Sequence, residues 1–259
     1  SFRMRKLLVT AAAIAPLMAA ATAVQAQVVI SDGRTMPILT SNANGTTADD
    51  IRIATGGSIR VTSGAAITVD SSNTVDLDNG SSIIIENGAD NVVGILVNGG
   101  NTGSVTIGGG ITITDNLDGS PDTDNDGDGD GPFANGTGRY GVRFTGDTPY
   151  TGNIFVEDTG VIVVEGNQSY GIGVDSGIDG EIRILGSINV TGNQSYGLRT
   201  TAPVNGDIVL SRGNIAVVGE DSVGVAIDGD VTGRFNLQSS VNATGYRFTG
   251  RPANAPDNA

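Results

Sequence analysis

The chain has 259 residues, 40 of them Gly, with no Cys, His or Trp, aromatic residues at 4%, and 28 acidic against 14 basic side chains. Without His there is no Ser-His-Asp centre, and without Cys there is no disulfide to hold a secreted fold together. The acidic balance excludes nucleic acid and anionic membrane as partners, because phosphate binding needs clustered Lys and Arg. Apolar residues are mostly Val and Ile in short alternating runs, a period that belongs to β-strands and not to low-complexity coil.

The chain opens with a segment that reads as a secretory signal. Arg5 and Lys6 form a charged start after Met4, Leu7 to Ala23 is apolar and Ala-rich, and Val24-Gln25-Ala26 ends on a small residue. A signal peptide is expected over 1–26, with the true start at Met4. A transmembrane helix fits less well, because the run is weakly hydrophobic and contains Pro16. The signal holds Arg3, Arg5 and Lys6, which leaves the remainder 11 basic residues against 28 acidic ones.

Residues 27–50, with Pro37 and Asn44-Gly45, are expected to form an N-terminal cap or lead-in, covering the free edge of the strands beyond it. Alternating pairs then begin: Ile51/Ile53, Ile59/Val61, Ile67/Val69, Val75/Leu77 and Ile83/Ile85, divided by Gly56-Gly57, Gly64 and Asn79-Gly80. After Ile111/Ile113 the pattern is interrupted by an acidic insertion at 116–135. Within it Asp122, Asp124 and Asp126, followed by Gly127, match the first half of a calcium loop, and Asp128 and Asp130 extend the match. Phe133 stands where the bidentate twelfth-position acid belongs, so a complete EF-hand is excluded. Two readings remain open: a partial Ca2+ loop, or a solvated acidic insertion.

Beyond the insertion the chain repeats itself. Gly166-Asn167-Gln168-Ser169-Tyr170-Gly171 recurs as Gly192-Asn193-Gln194-Ser195-Tyr196-Gly197, 26 residues on, and in weaker form at Gly219 to Gly224. An earlier copy runs from Gly136 to Gly141. Each unit supplies three strands: a first such as Tyr170/Ile172/Val174, a second after a Gly such as Ile182/Ile184, and a third such as Ile188/Val190. Copying every 26 residues is what a stacked rung needs and an antiparallel sandwich does not. The expected fold is all-β: a right-handed parallel β-helix over 51–248, three short strands per rung, with six or seven rungs along an axis of roughly 30 Å.

Strand parity places Tyr140, Tyr170 and Tyr196 inward as an internal aromatic stack, and Asn167 and Asn193 as a ladder of stacked amides at a turn. Residues 249–259 are a polar, Pro-containing tail, expected to lead into a missing C-terminal region.

The Gly-Asn-Gln-Ser-Tyr-Gly units, the run Asp221 to Gly233 and the closing Val241 to Phe248 resemble the β-solenoid passenger of bacterial autotransporter (type V secretion) proteins. The resemblance implies display at the cell surface of a Gram-negative bacterium, through a C-terminal outer-membrane barrel that these residues lack; membrane association would come only through that barrel. It makes a structural or adhesive, non-catalytic role the leading expectation, with a host, neighbouring cell or matrix surface as partner. The alternatives are a calcium-stabilised surface-layer-like spacer, or a polysaccharide hydrolase or lyase using outward carboxylates among Glu157, Asp158, Asp175, Asp179 and Glu181. No catalytic or cofactor-binding residue is assigned; the metal candidates are Asp122, Asp124, Asp126, Asp128 and Asp130.

Overall fold

The structure, a computed structural model, describes residues 27–118, 122, 125 and 130–245. The expected signal (1–26) and tail (249–259) lie outside the described residues.

Within these bounds the chain winds as an all-β parallel solenoid of about eight turns, each built from three strands, with a single 3-10 turn at Thr40–Asn42. Strands pair in parallel with their counterparts in neighbouring turns. On the side carrying the tyrosines the order is Ile38–Leu39, Ala65–Val69, Val93–Asn98, Tyr140–Thr145, Tyr170–Val174, Tyr196–Thr200 and Val223–Ile227. The second and third sides form one continuous sheet, because Ile208–Val218 and Phe235–Thr244 each run across the corner between them.

The expected repeat alignment is the observed register. Tyr140, Tyr170, Tyr196 and Val223 are Cα partners in successive turns, as are Ile154, Ile182 and Ile208, and Ile162, Ile188 and Ile215. Columns of like residues result, and they make one core from Ile30 to Val217 in which nearly every Ile, Val and Leu is sealed from solvent. Such a core is stabilised by area removed from water, about 25 cal/mol per Å2, and each turn gains it only from its neighbours.

Segment 27–50, expected to cap the stack, contributes a strand to every side. Gln27–Ile30 pairs with Asp50–Ile53, Gly33–Arg34 with Ser58–Arg60, and Ile38–Leu39 with Ala65–Val69. It is the first turn among the described residues, and two of its strands, Gly33–Arg34 and Ile38–Leu39, are only two residues long. At the other end Phe235 and Leu237 occupy the inward register positions of Ile208 and Leu210 but are 48% and 47% exposed, the eighth turn being the last described.

The Gly before each second strand has a steric cause. A Cβ on Gly152 would lie 1.8 Å from the carbonyl oxygen of Gly103, one on Gly180 2.0 Å from that of Gly152, and one on Gly206 2.1 Å from that of Gly180. At this corner the backbones of successive turns approach too closely for any side chain.

Candidate functional site

The repeated hexapeptide forms the corner that leads onto the tyrosine side. Gln168, Gln194 and Asp221 take left-handed backbone (φ 48, 53 and 53°), turning the chain sharply. The N–H groups this exposes are satisfied from the next turn. Ser169 N–H donates to Ser195 Oγ at 3.1 Å, and Ser195 N–H donates to Ser222 Oγ at 3.1 Å; Ser169 and Ser195 are fully buried. Beside this column Asn193 N–H donates to Asn167 Oδ1 at 2.9 Å and Glu220 N–H to Asn193 Oδ1 at 3.0 Å. The asparagines therefore bind backbone of the following turn, and the side-chain amide pair is Gln168 Nε2 to Gln194 Oε1, 3.1 Å.

The tyrosines face outward, contrary to their parity. A Cβ on Gly171, the residue after Tyr170, would strike the core side chain of Ile188 at 2.3 Å; Gly141 and Gly197 stand in the same relation to Ile162 and Ile215 at 2.4 Å. These glycines therefore point into the core, as do the fully buried Val142, Ile172 and Leu198 directly after them. Two successive inward residues reverse the alternation, as a β-bulge does, and turn the preceding Tyr out.

On the outer surface the rings of Tyr140 and Tyr170 stack at 4.4 Å between centroids and 11° between planes, and those of Tyr170 and Tyr196 at 5.3 Å and 6°. The guanidinium of Arg143 lies 4.6 Å from the centre of the Tyr140 ring, and that of Arg199 the same distance from the centre of the Tyr196 ring. Between the two arginines in the register stands Gly173, where a Cβ would meet Cε1 of Tyr140 at 2.6 Å. Arg143 Nε is paired with Asp175 at 3.2 Å, which also accepts from Thr201 Oγ1 at 3.0 Å; Arg199 Nε is paired with Asp228 at 2.9 Å. Burial, the largest influence, pushes the Tyr140 phenol up to about 12. Ring faces along the stripe are occupied by other rings and by guanidinium groups.

The five carboxylates considered for catalysis are dispersed. Asp175 belongs to the tyrosine stripe, Asp179 accepts from Asn205 Nδ2 at 2.6 Å, Glu181 pairs with Arg183, and Asp158 lies 3.7 Å from Arg212. Glu157 is half-buried, its carboxylate against Gly108. The shallow depression lined by Asn153, Ile154, Phe155, Glu181 and Arg183 contains one of the five.

Of the metal candidates, Asp122 is exposed and Asp130 half-buried; Asp124, Asp126 and Asp128 lie outside the described residues. Among the described residues no three carboxylates gather as a metal site. What the structure does define is the root of the insertion. Asp115 accepts from the N–H groups of Leu117 (3.0 Å), Asn135 (3.0 Å) and Gly136 (2.8 Å), and from Arg139 Nη1 at 2.9 Å. Arg139 also donates to the carbonyls of Glu165 (2.8 Å) and Gly88 (2.6 Å), and both side chains of the pair are almost fully buried. Burial opposes ionisation of Asp115, but the three N–H donors and the guanidinium together hold its pKa below the usual carboxylate range. Phe133, which stands in the calcium loop's twelfth position, is buried beside this root with Ala134. Sequence reasoning missed the pair. Its one signal was Arg139 standing where the other copies of the hexapeptide place Ser169 and Ser195.

The chain matches no protein-family model, no curated protein and no solved structure.

Proposed function

We propose that this chain is the passenger of a type V secretion system, displayed at the cell surface in a structural or adhesive, non-catalytic role against a host, neighbouring cell or matrix. The observation that carries the reading is the use to which outward polar groups are put. Arg52 with Asp78, Arg60 with Glu86, Arg143 with Asp175 and Arg199 with Asp228 all reach from one turn to another. Groups spent this way fasten a rod, and a rod presents its sides. The signal-like first residues and the cysteine-free composition agree with an exported protein that draws stability from stacking.

The test is an epitope placed in the exposed turn at Asp147-Thr148 of the full-length protein in its native cell. Labelling of intact cells and loss of surface adhesion on deletion are expected; an epitope reached only after lysis overturns the reading.

A calcium-stabilised spacer is the second reading. Its favouring observation is the root at Asp115, which ties together the two ends of the acid-rich insertion. A thermal midpoint unchanged by chelator removes it.

A further inference from the structure

The geometry points to the Tyr140–Tyr170–Tyr196 stripe as a site of oxidative modification, at which a peroxidase-type one-electron oxidant joins Tyr140 to Tyr170 by a carbon–carbon bond and staples two turns covalently. This inference does not depend on the chain being a passenger.

Three observations lead to it. The two phenols are in contact, 4.4 Å apart and within 11° of parallel, although 30 residues separate them in the chain. An oxidant reaches the pair through the stack: Tyr140 is itself buried (9% exposed), but Tyr170 and Tyr196 are half-buried, so an electron removed from either can be replaced from Tyr140. The other described tyrosine is unsuited, since Tyr150 is fully buried and its ring neighbour is Phe144 at 5.4 Å. Proximity then decides the partner. Two groups held in contact react as if at a concentration no second molecule attains, on the order of 10^5 M or more for well-oriented pairs.

The chemistry balances. Each phenol gives one electron and its hydroxyl proton to the oxidant, and the two phenoxyl radicals join at carbons ortho to oxygen. The ortho hydrogens move to the oxygens as the rings regain aromaticity. Net loss is two hydrogens, accepted by one hydrogen peroxide as it becomes two waters. In a chain without Cys the product stands where a disulfide would, closing a loop around one full turn and restricting the unfolded chain in the same way.

The experiment treats the purified chain with hydrogen peroxide and a haem peroxidase, followed by dityrosine fluorescence, denaturing electrophoresis, intact mass and peptide mapping. The expected result is a monomer lighter by two hydrogens, a cross-linked peptide containing Tyr140 and Tyr170, and a raised thermal midpoint. Tyr170→Phe keeps a ring in the stack and loses the product, while Tyr196→Phe retains it; circular dichroism of each variant verifies the fold. Absence of dityrosine in the monomer, coupling confined to separate chains, or an intramolecular product that survives Tyr170→Phe overturns the proposal.

Discussion

Two copies of one corner solve the same problem differently. At Gly166–Gly171 and Gly192–Gly197 the buried position is Ser, whose hydroxyl accepts an N–H from the preceding turn and donates back to a carbonyl, as Ser195 does to Gly166 O at 2.9 Å. At Gly136–Gly141 that position is Arg139, which spans several turns and is neutralised by Asp115. The serine corner can be copied indefinitely, because each hydroxyl needs only its equivalent one turn away. The arginine corner occurs where the chain leaves the stack and returns, and its ion pair joins the two ends of that excursion. A regular turn is thus held by small repeated groups, and a decorated one by a single large, irreplaceable contact.

The largest effect expected from breaking this contrast comes from Arg139→Met. It strands a buried carboxylate, costing about 3–5 kcal/mol, and chemical denaturation should show most of that returned when Asp115→Asn is added. The same pair sets an acid dependence. Because the folded pKa of Asp115 is lowered, its stabilisation is complete above the ordinary carboxylate value of about 3.9 and is lost as pH falls through the lower folded value. Urea midpoints should therefore drop on acidification more steeply in the parent chain than in the Arg139→Met/Asp115→Asn double variant.

On the regular side, Gly171→Ala drives a methyl against Ile188 and should cost about 1–3 kcal/mol, read as a lower thermal midpoint. Ser195→Ala leaves the buried N–H of Ser169 without its acceptor. About 1–3 kcal/mol is expected, with faster amide exchange confined to that corner. Arg199→Ala removes a partly exposed ion pair and a ring contact, and about 0.2–1 kcal/mol should register in a denaturant titration.

Much of the fold was legible beforehand because a solenoid writes its contacts into its period. Ile154, Ile182 and Ile208 could be aligned by eye since each meets the one before it, and the register confirms every such column. Segment 27–50 was harder, its strands being as short as Gly33–Arg34 and Ile38–Leu39, too brief to show alternation. Of the candidate site, the tyrosine column was legible and its direction was not. Parity argues from neighbours along one strand, and Gly, having no side chain, gives no sign of which way it faces.

The period of the chain is enough to specify the class of fold, the three strands per turn and which residues share a column, since translation along the axis repeats each residue's surroundings. Folding in three dimensions was needed to settle which way Tyr140, Tyr170 and Tyr196 point, and that Asp115, 24 residues before Arg139, is its partner. The first depends on glycine backbone packed against Ile162, Ile188 and Ile215 from another side of the coil. The second depends on where an aperiodic insertion returns. Both are contacts between segments that no repeat relates, and these form only once the chain has closed around its core.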